Sequence, residues 1–156
     1  MENKNFVVTD DLLASHSQRF LNFIIDLIIQ YIILLSIGTI IVLIADIIGN
    51  YELSENIKRM NIIEQSLFGI IIGLFYYIMT EAYFSRSIAK YFTKTIVVTK
   101  EGTKPDSKTI FIRSFCRLIP IDAFTFLGTV PRGWHDKISG TYVVKKHPFV
   151  EKKGLV

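Results

Sequence analysis

Residues 20–45 read FLNFIIDLIIQYIILLSIGTIIVLIA, an apolar stretch of about 26 residues that exceeds the ~20 a helix needs to cross a hydrocarbon core. A second stretch, residues 62–84, reads IIEQSLFGIIIGLFYYIMTEAYF and is also of spanning length. Two such runs in 156 residues, half of them hydrophobic, leave room for one membrane domain, residues 1–156, and little else. The first 19 residues set Glu2, Asp10 and Asp11 against Lys4 and Arg19. They have neither the basic start nor the short apolar core of a cleavable signal, so the first span is expected to stay in the mature chain. A single cysteine, Cys116, excludes an intrachain disulfide and reads as a buried apolar thiol.

The basic residues set the expected orientation. Arg86, Lys90, Lys94, Lys100, Lys104, Lys108, Arg113 and Arg117 follow the second span against only Glu101 and Asp106. The connector at residues 47–61 balances Glu52 and Glu55 with Lys58 and Arg59. The positive-inside rule then puts the long basic segment and both termini in the cytoplasm and the connector outside.

Residues 110–130, IFIRSFCRLIPIDAFTFLGTV, approach a third span in length, but Arg113, Arg117 and Asp122 lie within it and Pro120 breaks it. A third crossing would also carry Arg132, Lys137, Lys145, Lys146, Lys152 and Lys153 outside, against the rule. Two short β-branched runs, KTIVVTK at 94–100 and GTYVVKK at 140–146, need each other as strands and therefore one side of the membrane. The expected fold is a membrane all-α protein. It has a two-helix transmembrane hairpin (about 20–45 and 62–84), a re-entrant or interfacial pair of short helices at about 107–128 for which a third span is the alternative, a cytoplasmic tail at 131–156 and a small cytoplasmic two-stranded β element.

Within residues 107–117, Thr109, Arg113 and Arg117 form one polar stripe. Either the arginines snorkel to lipid phosphates or they face inward toward an acid. Arg19 and Asp26 lie two turns apart on the first helix, about 10.5 Å in rise, and side chains lean toward the N-terminus. They should therefore not bridge each other. An ionised aspartate deep in a span costs about 2.5–3.5 kcal/mol, so Asp26 needs a cation, a proton or a watery cavity. Arg113 and Arg117 are the best-placed cations and Lys90 a weaker one; Arg19 is expected to take Asp136 or Glu81 as its acid. The expected charge network or ligand site is Arg19, Asp26, Glu81, Arg113, Arg117 and Asp136, and it is either a closed structural network or a pathway for an ion or small ligand.

Other polar features carry less. Gly69-x-x-x-Gly73 suits close helix packing, and Tyr76, Tyr77, Tyr83, Tyr91 and Trp134 suit an interface belt. His16, His135 and His147 lack metal-ligand spacing, and no Ser, His and Asp set stands in a catalytic motif. No enzyme activity, cofactor, metal or nucleic-acid partner is expected.

The segments ASHSQRFLNFIIDLIIQ, EAYFSRSIAKYFTKTIVVTKEGTKPDSKTIFIRSFCRLIP and RGWHDKISGTYVV together resemble the RDD family of small bacterial membrane proteins, in a variant similar to members from Bacteroidetes-type bacteria. The arginine and two aspartates that name the family match Arg19, Asp26 and Asp136. Where the family often has Thr-x-Gly-Lys, this chain has Ser87, Ile88, Ala89 and Lys90, which puts any tight turn there in doubt. The resemblance implies an inner-membrane protein, with transport of an ion or small ligand as the suggested role. Two helices cannot enclose a pathway, so a transporter would be a homo-oligomer. The alternative is a non-catalytic subunit or scaffold of a membrane complex, whose basic face binds a partner or anionic lipid.

Overall fold

A computed structural model describes residues 6–125 and 127–154. Glu2 and Lys4, counted in the N-terminal charge balance, lie outside the described residues, as do Phe126 in the 107–128 segment and Leu155 and Val156 at the end of the tail.

The chain is mostly helical, with two helices long and apolar enough to cross a membrane. Helix α1 (His16–Ile47) starts at Ser15, whose hydroxyl accepts from the Gln18 amide while the Gln18 side chain accepts from the Ser15 amide. At 32 residues it is about 48 Å long, more than the ~30 Å hydrocarbon core requires. The chain then turns at Gly49, whose φ of 76° an L side chain adopts only with strain, and the Asn50 amide reaches back to the Ala45 carbonyl.

The connector is more than a loop. Helix α2 (Tyr51–Lys58), capped by Asn50, fills most of it and packs on α1. Helix α3 (Ile62–Phe84) opens on a reciprocal Asn61–Glu64 cap and returns along α1. Gly73 gives close approach: a Cβ there would sit 2.7 Å from the Gln30 Oε1 on α1. Gly69 is looser, its nearest neighbour Leu34 at 3.9 Å, so the small-residue pair packs chiefly through Gly73.

Helix α3 ends at Ser85 in the left-handed region, φ 56°, and short α4 (Ile88–Phe92) leads into strand β1 (Thr95–Thr99). Residues 107–128 form α5 (Ser107–Cys116) and α6 (Asp122–Thr125), with Pro120 between them. Ten residues make α5 about 15 Å long, half of what a span needs, and it packs against α3. Helix α7 (Trp134–Ile138), strand β2 (Thr141–Lys145) and α8 (Lys146–Gly154) complete the chain.

The two runs of β-branched residues do pair. β1 and β2 are antiparallel, with Val97 opposite Val143. A two-stranded ribbon is marginal alone, and both faces of this one are covered. Val98 and Val144 pack with Val8, Leu12, Leu13 and Phe149, brought by the N-terminal segment and α8. That segment is tied to the ribbon by Val8 N–H to the Lys100 carbonyl (2.9 Å) and Ala14 N–H to the Val143 carbonyl (2.9 Å). The opposite face carries Thr95, Val97, Thr141 and Val143, all buried, and looks onto the charged end of the helical hairpin. The segments before α1 and after α3 therefore meet at one end of the hairpin.

Candidate functional site

At that end, side chains from α1, α3, α4, α5, α6 and α7 meet in one buried polar layer. Each arrives by a local rule. Helical spacing sets Arg19, Asn22 and Asp26 on one face of α1, and all three are buried although most of the helix is apolar and exposed. On α3 the buried residues are Gly73, Tyr76 and Glu81. The α5 stripe turns inward: Arg113 has no exposed side-chain surface and Arg117 only 13%.

Arg113 is the hub. Its Nε donates to Glu81 Oε2 (2.8 Å), and its Nη1 donates to Asp136 Oδ1 and to Thr141 Oγ1 (2.6 Å). Asp136 also accepts from Arg19 Nη2 and from the Gly133 amide (2.9 Å). Glu81 takes two further cations, Arg117 Nη2 at 2.8 Å and Lys90 Nζ at 3.0 Å. The Arg117 guanidinium lies 3.7 Å from the Tyr77 ring centroid, a cation–π contact.

Asp26 sits at the far end. Its carboxylate accepts from Tyr76 Oη (2.6 Å), Ser87 Oγ (2.6 Å) and the Ala89 amide (3.2 Å), with Lys90 Nζ at 3.9 Å. The expectation that Arg113 and Arg117 answer Asp26 is therefore corrected. Three carboxylates compete for the cations of this layer, and Glu81, directly across from α5, holds both arginines. The cation nearest Asp26 is instead Lys90, carried next to it by the turn into α4. Arg19 pairs with Asp136, and Glu81 is not its partner. Arg19 and Asp26 do not touch; a continuous path of contacts joins them, through Asp136, Arg113, Glu81, Lys90 and Ser87.

The doubt over Ser87-Ile88-Ala89-Lys90 is resolved in the same place. Residue 89 is helical, so alanine fits, and what reaches Asp26 from it is the backbone N–H. Ser87 supplies a hydroxyl and Lys90 an ammonium that also donates to Ser87 (3.1 Å).

A second branch runs through His135. Its Nδ1 faces Asp122 Oδ2, its amide donates to Asp122 Oδ1 (2.8 Å), and Nε2 lies 3.3 Å from Arg19 Nη2. Burial pulls the imidazole down to about 4, outweighing Asp136, so the ring is neutral at pH 7. With the proton on Nδ1 it donates to Asp122, and Nε2 accepts from Arg19. Burial alone would raise Asp122 and Asp136. The bond from His135 holds Asp122 below its ordinary value; the Arg19 and Arg113 guanidiniums hold Asp136 well below it. Burial lowers Lys90 despite Glu81 beside it, whereas Arg117, also desolvated, is held above its ordinary value by Glu81. Gly133 completes the fit: a Cβ there would stand 2.7 Å from His135 Cε1.

These groups border a cavity of about 200 Å³ at the charged end of the hairpin. Arg19, Lys90, Arg113, Arg117, Asp26 and Asp122 supply its charged wall, and Phe23 and Leu27 of α1 its apolar rim. Among the described residues no three His, Cys, Asp or Glu side chains converge as a metal ion would require.

A model of the RDD family matches residues 13–140, most of the chain and every residue of this layer except Thr141. The chain belongs to the RDD family. No curated protein and no solved structure matches it. Within the matched residues, Arg19 and Asp136 form one direct pair, and Asp26 stands at the distant end of the same network. Family membership and the two apolar helices fit a membrane protein.

All six residues expected in the network are in it. Reasoning from sequence missed His135 and Asp122, which form one pair, and Tyr76, Ser87 and Thr141, which satisfy the carboxylates and Arg113. Asp122 was weighed only as a penalty against a third span. Its available signal was that a carboxylate in so apolar a segment needs a partner as much as Asp26 does.

Proposed function

We propose that this RDD protein moves an ion or small ligand across the bacterial inner membrane through its buried Arg/Asp layer. The cavity of about 200 Å³ against that layer carries the reading, because it sets four cationic and two acidic side chains around a space inside the hairpin's charged end. Charges at membrane depth line pathways or pair with one another, and here the same residues border the space and pair behind it. In this reading α1 and α3 span the bilayer, both termini are cytoplasmic, and the chain works as a homo-oligomer without a cofactor or a catalysed reaction. The basic residues after α3 favour that orientation.

The test is flux into proteoliposomes, followed with ion- and pH-sensitive dyes. Asp26→Asn, which keeps the shape but removes the charge that Tyr76, Ser87 and Lys90 surround, should abolish flux while the protein still inserts. Unchanged flux in the variant, or none in the parent, removes the reading.

One observation favours a second role, as a scaffold or subunit. Arg86, Lys94 and Lys146 surround the exposed Tyr91 at a separate basic hollow, with Arg86 stacked 4.6 Å from the ring centroid. Such a face suits an acidic partner or anionic lipid. A stoichiometric partner retained in gentle native purification would support it, and a lone homo-oligomer would count against it.

A further inference from the structure

The carboxylates that border the cavity have their hydrogen bonds made. Asp26 accepts from Tyr76, Ser87 and the Ala89 amide, and Asp122 from the amide and ring of His135. The cations beside them are less completely used. Arg113 Nη2 and Arg117 Nη1 are buried and have no hydrogen-bond partner among the described residues. Both side chains border the cavity, and that of Arg113 is 0% exposed. Lys90 also borders the cavity, its ammonium donating to Glu81 and Ser87 with Asp26 Oδ2 at 3.9 Å. Among the described residues, the other buried side-chain atoms without partners are Ser54 Oγ, Ser114 Oγ and Arg132 Nε, with no carboxylate oxygen among them.

The shortage is therefore one of acceptors. Water can accept, but each molecule brings two hydrogens that need acceptors in turn. A phosphate-like oxyanion brings more acceptors than hydrogens, and guanidinium groups meet its oxygens with two parallel donors. The cavity, about 200 Å³ against the ≈ 30 Å³ share of one water, has space for such a group and several waters. Its rim at Phe23 and Leu27 lies on α1, where Leu27 is half exposed toward the position lipid would occupy, so an anion could arrive free or as a lipid headgroup.

We propose that the cavity binds one oxyanion, a phosphate-like group, on Arg113 and Arg117. This rests on the reading of the cavity as a ligand site and adds its chemical class. The full chain in phosphatidylcholine nanodiscs is titrated calorimetrically with sodium phosphate, with sodium chloride at matched ionic strength as the control. In a second arm, nanodiscs of equal phosphatidylcholine and phosphatidylglycerol are opened in native mass spectrometry and the retained lipid is identified.

Saturable phosphate binding identifies a free anion, and preferential retention of phosphatidylglycerol a headgroup; either supports the proposal if Arg117→Gln weakens it at least tenfold and Arg117→Lys less. Should Arg117→Gln fail to fold, Leu27→Trp narrows the rim without touching a charge and should weaken binding similarly. No binding in either arm, or binding indifferent to every folded variant, overturns the proposal. Binding without flux in proteoliposomes would remove the transport reading and leave the site. Flux without binding would do the reverse.

Discussion

The two ends of the α1–α3 hairpin are closed by different physics. At the α2 end the chain uses a left-handed glycine, two asparagine caps and exposed ion pairs, such as Arg59 with Glu55 at 3.2 Å and Lys58 with Asp46 at 3.6 Å. At the other end the charges of Arg113, Glu81, Asp136 and Asp26 are almost wholly buried and, with Lys90, shared among five helices. Exposed pairs contribute little because water screens both partners. Buried ones cost desolvation to assemble, yet removing one partner strands the others. The lesson is that only one end can couple distant segments: residues 19, 81, 113 and 136 are placed together there by charge, while the α2 end is held by local turn chemistry.

The sharpest way to break this contrast is Arg113→Ala. It takes one cation from Glu81 and one from Asp136, both buried, and a donor from Thr141, so a loss of about 3–5 kcal/mol is expected in reversible unfolding from detergent micelles. The mirror experiment, Arg59→Ala, removes an arginine that is 80% exposed and should change stability by less than about 1 kcal/mol.

Acidification gives the next largest effect. His135 is pulled by burial from 6.5 to about 4, so between those values the unfolded chain takes up a proton that the folded one refuses. Stability should fall as pH drops from about 6.5 to about 4, and His135→Asn should flatten that part of the curve. Asp122 and Asp136, both held below their ordinary value, add their own loss only at lower pH.

A smaller contrast lies along the helices. Gly38→Ala meets no atom within 4 Å and should be neutral or stabilising by up to about 1 kcal/mol. Gly73→Ala must push aside the end of Gln30, 2.7 Å away, and should forfeit that gain. Thermal melts of the two variants in one detergent read the difference.

The same contrast explains what was legible in the sequence. The spans, the helix break near Pro120 and the pairing of TIVV with YVVK follow from hydropathy, proline chemistry and β-branched runs, each a local signal. Arg19 with Asp136 was legible because a buried charge must find an opposite one and topology left few choices. The division of cations between Glu81 and Asp26 was not, since it depends on which carboxylate α5 and α4 reach in space. His135 was hidden for a related reason: it is held neutral by its surroundings, and charge arithmetic passes over a neutral imidazole. Helix α2 was missed because its eight residues, YELSENIK, are polar and short enough to read as connector.

The charged layer is one interlocked unit that holds the closing segment to the first helix. The most direct measurement is a double-mutant cycle on Arg19→Gln and Asp136→Asn, read as unfolding free energy in one detergent. Residues 117 positions apart in the chain should show a coupling of about 1.5–3 kcal/mol. Effects that add to within about 0.5 kcal/mol would mean that the two do not meet, and would contradict the account.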